Sequence, residues 1–317
     1  MKKLKPLISL SLLLFPLVTM AYEEIGGIYY ELSGSEATVV AGTTKYSGSV
    51  VIPEDVSYNW NLYRVTSIGS GAFSFCSNLT SVTIPSSIKD IGSEAFSFCT
   101  SLTSVTIPAS VTSIGYGAFW DCYNLSYLSV NKFNTKYDSR NDCNAIIETS
   151  SNKLIAGCAN TFIPNGVTAI SDGAFMDNKL LTSISIPNSV RAIGAYAFLG
   201  CSSLTSVSVK WFTPLAIGAN DVSNRANSTL YVPFGCKSVY EATAYWNEFK
   251  EIIEEPGIMG DVNSDGAVDL SDAIMVTYHS LHETPSYFNT GAADMNADGE
   301  IDLSDAIIII YKSLGVK

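Results

Sequence analysis

Charged residues are scarce in this sequence. Only 15% of its 317 residues are Asp, Glu, Lys or Arg, whereas 47% are hydrophobic. Acidic residues outnumber basic ones by 30 to 18, which gives a formal net charge of −12. Nucleic-acid binding needs a basic stripe to meet the phosphates, and this sequence has none. The hydrophobic content excludes a disordered chain and is sufficient for a sizeable core.

Histidine is nearly absent. The two that occur, His279 and His282, lie near the C terminus, so the rest of the chain has no imidazole for general-base or triad chemistry. The carboxylates in the middle of the chain are scattered, with no pair marked out for glycoside hydrolysis. We therefore expect a protein that is not an enzyme. As a pair one helical turn apart, the histidines either form part of an exposed helix end or hold a metal.

Long hydrophobic runs are also missing, with one exception. Three lysines precede an apolar stretch from Leu7 to Val18, and Ala21 follows it closely. This pattern predicts a signal peptide over residues 1–21. The stretch is too short for a good membrane span, and no other is long enough to cross a bilayer. We expect a secreted protein without a membrane span.

One sequence frame recurs through the middle of the chain, and it reads IGSEAFSFCTSLTSVTIP at Ile91. Its copies begin 23 residues apart in two runs, at Ile68, Ile91 and Ile114, and at Ile170 and Ile193. A fixed period of this length predicts a solenoid, in which each coil buries its apolar side against its neighbours. The phenylalanines of the frame are expected to stack as one spine, formed by Phe73, Phe96, Phe119, Phe175 and Phe198.

The wording I-G-x-x-A-F, then C-x-x-L, then I-P resembles the BspA-like family of bacterial surface proteins, over roughly residues 25–255. The resemblance implies a leucine-rich-repeat solenoid of 23-residue strand-and-turn coils with a parallel sheet. It also implies adhesion to proteins, cells or extracellular matrix.

The remaining sequence suggests how the solenoid is completed. We assign residues 22–64 to an N-terminal cap, 65–209 to the repeats, 210–255 to a C-terminal cap and 256–317 to a separate module. The spacing from Ile114 to Ile170 is two periods plus ten, so a hairpin segment is expected to be inserted at about 131–163.

Small hydroxyl residues occupy the outward positions of the repeat strands. They are Ser81, Thr83, Ser104, Thr106, Ser129, Ser183, Ser185, Ser206 and Ser208, with Tyr127 among them. Such a face either binds a protein or glycan ligand through many short hydrogen-bonding groups, or is a solvated sheet face made of small β-formers.

The seven cysteines are odd in number, which a disulfide framework does not predict. Four share one position of the repeat and are expected to be small buried residues. Antiparallel counting from Glu148 opposite Lys153 places Cys143 opposite Cys158. That pair is a candidate disulfide, with two free thiols as the alternative.

Two acidic segments of similar sequence lie near the C terminus, the first beginning at Asp261 and the second at Asp294. Calcium takes oxygen ligands from loop positions 1, 3, 5, 7, 9 and 12, with Gly at position 6. We predict two calcium ions. The first set of ligands is Asp261, Asn263, Asp265, Ala267, Asp269 and Asp272, and the second is Asp294, Asn296, Asp298, Glu300, Asp302 and Asp305.

Paired loop-helix units of this kind resemble a type I dockerin, a small all-α calcium-binding module. The resemblance implies calcium-dependent docking onto a cohesin module of a scaffold protein or cell surface. It assigns partner binding to loop positions 10 and 11, which are Leu270, Ser271, Leu303 and Ser304. Both copies read LSDAI, so the module is expected to present two equivalent docking faces.

These observations favour a secreted, non-catalytic adhesion protein that a dockerin attaches to a cohesin. Dockerins often accompany polysaccharide degradation, so a polysaccharide-binding accessory protein is the first alternative. In a second, the C-terminal module is a calcium-stabilised clasp on its own solenoid.

Overall fold

The computed structural model describes residues 22–264, 267–285 and 288–315. The predicted signal peptide, residues 1–21, lies outside these residues. Among the described residues, no helix is both long and apolar enough to cross a bilayer.

The N-terminal residues form six strands. These are β1 Glu23–Ile25, β2 Ile28–Ser33, β3 Glu36–Val40, β4 Gly48–Val51, β5 Asp55–Tyr58 and β6 Asn61–Ile68. β1, β2 and β3 pair antiparallel, and β3 then pairs parallel with β6. The Tyr46 ring centroid lies 4.7 Å from that of Phe73, so this segment covers the apolar end of the first coil.

Each regular coil contributes one strand to each of two parallel sheets. In the first half of the solenoid the strands are β7 Leu79–Thr83, β8 Asp90–Ile91, β9 Ser104–Ile107, β10 Ser113–Ile114 and β11 Tyr127–Val130. β9 and β11 pair with Val105 opposite Leu128, an offset of one repeat period. Equivalent side chains therefore stack, and the inward ones form a continuous core. The predicted solenoid is confirmed.

Close stacking explains the glycine that follows the leading isoleucine. A Cβ atom on Gly92 would lie 2.4 Å from the Ser70 nitrogen, and one on Gly115 would lie 2.3 Å from the Ser93 nitrogen. Because no side chain fits at such distances, glycine is required wherever the preceding coil's backbone lies behind this position.

The phenylalanines stack in two runs. Ring centroids are 5.1 Å apart for Phe73 and Phe96, 5.5 Å for Phe96 and Phe119, and 4.9 Å for Phe175 and Phe198. The prediction of a single spine is wrong between Phe119 and Phe175, because the inserted hairpin lies there. A Cβ on Gly157 of that hairpin would lie only 2.1 Å from the Phe175 ring.

The inserted hairpin takes the place of one coil. The strands from here to the end of the repeats are β12 Tyr137–Asp138, β13 Ala145–Glu148, β14 Lys153–Gly157, β15 Ala169–Ile170, β16 Ser183–Ile186, β17 Ala192–Ile193 and β18 Ser206–Val209. β14 pairs antiparallel with β13 and parallel with β15. Glu148 lies opposite Lys153, so the predicted start of the hairpin is confirmed.

The predicted disulfide is wrong because the hairpin contains a β-bulge. Ile147 pairs with Leu154, but Ile146 pairs with Ala156, so one extra residue shifts the register before Cys143 is reached. A shift of one residue moves a side chain to the opposite face. Accordingly, Cys143 and Cys158 pack in different core clusters, and both are buried free thiols.

The four cysteines of the repeat position are also buried and free, as predicted. In three of them the sulfur contacts the carbonyl oxygen of a phenylalanine in the preceding coil. The Sγ–O distances are 3.1 Å for Cys99 and Phe73, 3.2 Å for Cys122 and Phe96, and 3.1 Å for Cys201 and Phe175. Burial raises the pKa of the Cys122 and Cys201 thiols to about 12, so these thiols stay protonated.

Aromatic residues close the C-terminal end of the solenoid, beside β19 Thr229–Val232, α1 Lys237–Glu241 and β20 Glu251–Glu254. The Tyr240 hydroxyl donates to the Trp211 carbonyl at 2.8 Å, and the Trp246 indole N–H donates to the Leu215 carbonyl at 2.7 Å. Both of these polar groups are satisfied within the fold, so they serve packing rather than ligand binding.

Three helices follow, α2 Leu270–Ser280, α3 Thr290–Ala293 and α4 Leu303–Ser313. Asp269 caps α2 and Asp302 caps α4, each in a reciprocal capping box with the residue three positions later. The helices enclose a small core of their own that includes Val262, Val276 and Ile309.

Candidate calcium loops and binding surfaces

The last carboxylate of each acidic loop is buried and organises the loop backbone. Asp305 is fully buried, and its Oδ1 accepts from the Met295 N–H at 2.7 Å while its Oδ2 accepts from the Asp302 N–H at 3.0 Å. In the first loop Asp272 accepts equivalent bonds from Val262 at 2.7 Å and Asp269 at 2.9 Å. The two loops therefore fold alike around their position-12 residues.

The other oxygen-bearing side chains of the second loop are connected by hydrogen bonds. Asp294 accepts from the N–H groups of Asp298 at 3.2 Å and Gly299 at 3.1 Å. The Asn296 amide donates to Asp298 Oδ2 at 2.8 Å. Gly299, at position 6, has a φ of +88°, which agrees with the glycine requirement at this turn.

The serines at position 11 link the loops to the helix surface. Ser271 donates through its hydroxyl to Asp269 at 2.6 Å and accepts from the Asn263 amide at 2.9 Å. The hydroxyl and N–H of Ser271 hold the pKa of Asp269 below its usual value, which keeps that carboxylate ionised. Ser304 accepts from the Asn296 amide at 3.0 Å, so both loops share this link.

Each of the two long helices presents a stripe of exposed apolar residues. The α2 stripe is Leu270, Ile274, Tyr278 and Leu281, and the α4 stripe is Leu303, Ile307, Tyr311 and Leu314. Their exposure ranges from 47% to 70%, which is unusual for side chains of this size. Successive members are three or four positions apart, which places each set on one helix face. Sequence reasoning identified only the leucines at position 10; the same apolar periodicity could have revealed the rest.

The outward positions of the repeat strands form the expected hydroxyl-bearing face. Ser104 and Thr106 alternate with the buried Val105 and Ile107 along β9. Some of these hydroxyls bond between coils, as Thr106 does with Ser129 at 3.1 Å. A cavity of about 440 Å³ lies on this face, lined by residues including Thr83, Ser104, Thr106 and Asn131.

A carboxylate pair was missed at the sequence level. Asp121 and Asp177 lie close together, and the proximity of Asp177 raises the pKa of the buried Asp121, although the two are far apart in the sequence. Both occupy the same position of their frames relative to the leading isoleucine, and this shared position could have revealed the contact. Asp121 is only 4% exposed, and carboxylates in direct contact leave no room for a glycosidic bond between them.

Comparison with known proteins identifies both parts of the chain. The model of the BspA-type leucine-rich repeat region matches six copies over residues 59–155 and 146–242, more than half of the sequence. The chain belongs to this family. The model of the type I dockerin domain matches residues 259–312. No curated protein matches the chain.

Several solved leucine-rich repeat structures are similar to this BspA-type chain. A leucine-rich cell surface protein from Faecalibacterium prausnitzii is 20% identical, with 75% of this chain and 95% of that chain covered and a TM-score of 0.33. A leucine-rich repeat protein from Bacteroides ovatus is 21% identical, with coverages of 74% and 76% and a TM-score of 0.33. The leucine-rich repeat protein of T. pallidum is 19% identical, with coverages of 87% and 96% and a TM-score of 0.35.

Type I dockerins are calcium-binding domains, and the residues of this dockerin fit the ion. Apart from Asp265, which lies outside the described residues, the predicted ligand positions supply carboxylate, amide or carbonyl oxygen, the donors that calcium prefers. Among the described residues, no group of three or more His, Cys, Asp or Glu side chains is already arranged to hold a metal ion. In the second loop, Asp294, Asp298, Asp302 and Asp305 each accept backbone N–H groups instead.

The two histidines of the dockerin have different surroundings. The His279 ring stacks on Phe288 with centroids 4.6 Å apart, and its Nδ1 pairs with the Thr284 hydroxyl at 2.8 Å. His282 is exposed and has a left-handed backbone, with a φ of 66°. These surroundings favour the exposed helix end over a metal-binding pair.

Proposed function

We propose that this protein is a secreted, non-catalytic recognition protein. Its solenoid binds a ligand, and its dockerin attaches it to the cohesin module of a scaffold protein or cell surface. The observation that carries this proposal is the pair of exposed apolar stripes on α2 and α4. Exposed apolar surface that a folded module keeps at two equivalent places is typical of a protein-binding site.

Two calcium ions are proposed to hold the loops in the docking conformation. The ligands would be Asp261, Asn263, Asp265, Ala267, Asp269 and Asp272 for one ion, and Asp294, Asn296, Asp298, Glu300, Asp302 and Asp305 for the other. Residues 258–317 contain ten acidic residues and two lysines, so cations would relieve strong repulsion. Calcium titration of the chain followed by native mass spectrometry should show two bound ions; one or none would contradict this stoichiometry.

The two stripes are proposed to be alternative docking faces. Leu270→Asp with Ser271→Asp should leave binding to a type I cohesin nearly intact, because the α4 face replaces the α2 face. Losing one of two equivalent faces costs RT ln 2, about 0.4 kcal/mol. Adding Leu303→Asp and Ser304→Asp should abolish binding. If either double substitution alone abolishes binding while calcium loading persists, symmetric docking is wrong.

A protein or cell-surface molecule is the proposed ligand of the solenoid. The hydroxyl-bearing face has few charges and the single exposed Tyr127, whereas sugar-binding surfaces are commonly aromatic platforms. A polysaccharide remains the alternative ligand because of the dockerin. Screening the full chain against fibrous proteins and plant polysaccharides separates the two, with a Thr83→Lys and Thr106→Lys variant as the control for binding through this face.

The absence of catalytic activity is part of the proposal. The solenoid contains no histidine, and in its close carboxylate pair Asp121 is buried while Asp177 forms an ion pair with Lys179. Release of reducing sugar or of peptide fragments by the purified chain would overturn this part.

One contact favours a second role for the dockerin as an intramolecular clasp. Gly235, after β19, and Gly291, in α3, approach so closely that a Cβ on Gly291 would lie 2.1 Å from the Gly235 Cα. Gly291→Ala should then separate the dockerin from the solenoid and lower the melting temperature of the solenoid, while Thr290→Ala should not. An unchanged melting temperature in Gly291→Ala would exclude the clasp.

A further inference from the structure

The regular coils are joined by a ladder of backbone hydrogen bonds along their turns. Phe73 and Phe75 donate to the carbonyls of Ala95 and Ser97 at 2.8 and 2.9 Å. The next coil repeats this pattern with Phe96 and Phe98. The fourth frame, which begins at Ile170, does so with Phe175 and Asp177. In every case the two donors, and the two acceptors, are separated by one intervening residue.

The third coil breaks this ladder. In the described part of the chain, the N–H groups of Gly117, Phe119 and Asp121 have no hydrogen-bond acceptor, although their counterparts one coil earlier, Glu94, Phe96 and Phe98, all donate to carbonyls of the following coil. Phe119 is buried and Gly117 is partly buried. A buried N–H group without a partner is costly, and it is rare in native structures unless a ligand or water satisfies it.

Gly117 and Phe119 both line a slot between the third coil, which begins at Ile114, and the frame that begins at Ile170. The slot is a cavity of about 240 Å³, lined by residues that include Gly117, Phe119, Trp120, Ser171 and Gly173. It exists because the inserted hairpin replaces a coil without reproducing that coil's turn. The hairpin contributes one hydrogen bond of the ladder to the fourth frame, in which the Gly157 N–H donates to the Ala174 carbonyl at 2.9 Å.

The sequence independently marks the slot at Ser171. The other frames have glycine at this position, and a Cβ on Gly92, Gly115 or Gly194 would lie 2.3 to 2.4 Å from the backbone of the preceding coil. Ser171 carries a side chain there, where the preceding segment is the hairpin strand β14 and not a coil. Ser171 also lines the cavity, so the glycine that the other frames have at this position is replaced at the slot.

We infer that this slot binds an extended peptide segment of small residues, whose carbonyl oxygens accept from the Gly117 and Phe119 N–H groups. An extended strand presents the carbonyls of alternate residues along one edge, which matches the spacing of the two donors. Small side chains are required because the Trp120 indole already packs between the two walls. A Cβ on Gly173 would lie 2.4 Å from Trp120 Nε1, and one on Gly117 would lie 2.9 Å from Trp120 Cδ2.

This inference rests on the proposed role of the solenoid in recognition and names a ligand class for a site separate from the hydroxyl-bearing face. The probe is an acetylated, amidated pentapeptide of sequence SGAGS, added at millimolar concentration to the full chain from residue 22. Amide exchange is measured for the segments 114–121 and 91–98. The second segment is the internal control, because its ladder donors are already bonded.

The peptide should slow exchange at least tenfold at Gly117 and Phe119 and leave 91–98 unchanged. Ser171→Leu, which fills the slot, should abolish the effect, whereas Ser171→Gly should retain it. Unchanged exchange at both amides, equal slowing in Ser171→Leu, or slowing by cello-oligosaccharides in place of the peptide would overturn the inference. Because the readout is confined to these amides, its failure is distinguishable from failure of ligand binding at the hydroxyl-bearing face.

Discussion

Replacing Asp121 by Asn should change how the stability of the solenoid depends on pH. Burial, then the hydrogen bond and charge of Asp177, raise the pKa of Asp121 from an ordinary 3.8 to about 7. Between these two values the folded state keeps a proton that the unfolded state has lost. Stability therefore falls as pH rises from about 4 to about 7 and is level above that range.

The size of this effect follows from the separation of the two pKa values. Each pH unit between them is worth about 1.4 kcal/mol, so the free energy of unfolding should fall by roughly 3–4 kcal/mol across the range. Asn keeps a hydrogen-bond donor toward Asp177 but cannot ionise. The advantage of Asp121→Asn over the natural chain should consequently grow by that amount between pH 4 and pH 7.

Urea unfolding followed by tryptophan fluorescence measures this directly. All four tryptophans lie between residues 60 and 246, so their emission reports on the solenoid and not on the dockerin. Asp90→Asn is the matched control, because Asp90 is an exposed carboxylate of the same solenoid. A stability difference between Asp121→Asn and the natural chain that is flat with pH, or that shrinks as pH rises, would refute the reasoning.

Three further predictions concern packing, thiols and calcium. Gly92→Ala should destabilise the solenoid by about 1–3 kcal/mol through overpacking, whereas Ser171→Gly should change the urea midpoint of the solenoid little. Equal effects of the two substitutions would show that the spacing between coils does not determine which residue is tolerated at this position of the repeat. Cys143 and Cys158 should both react with iodoacetamide after unfolding without reductant. A chain mass lower by two hydrogens, with neither residue labelled, would show that the two cysteines form a disulfide. Chelator should reduce the helical circular dichroism of the chain while leaving its tryptophan emission unchanged; an unaffected helical signal would show that the dockerin folds without calcium.

Much of the fold could be predicted because the repeat is visible in the sequence as the same residue types at a fixed spacing. The regular spacing of Ile68, Ile91 and Ile114 sets the register of the coils, and L-x-x-V-x-I sets the inward residues of each strand. The two LSDAI segments likewise identified the loops and the starts of helices α2 and α4. These features depend on local pattern, which is what a single sequence records best.

The parts that could not be predicted depend on how the inserted segment meets the coils. The bulge at Ile146 and Ile147 has no distinct sequence signal, yet it separates Cys143 from Cys158. The break in the phenylalanine spine and the contact of Asp121 with Asp177 both follow from the hairpin replacing a coil. The one sequence signal of the hairpin replacing a coil is the serine at position 171, where the other frames have glycine.

The most direct test of the proposed function is calorimetric titration of the full chain with a panel of type I cohesin modules, in calcium and in excess chelator. The proposal predicts binding to at least one cohesin in calcium, none in chelator, and none in calcium for the variant with Asp at Leu270, Ser271, Leu303 and Ser304. Binding that survives the chelator or the fourfold substitution, or no binding to any of these cohesins by a calcium-loaded chain, would contradict attachment through the dockerin.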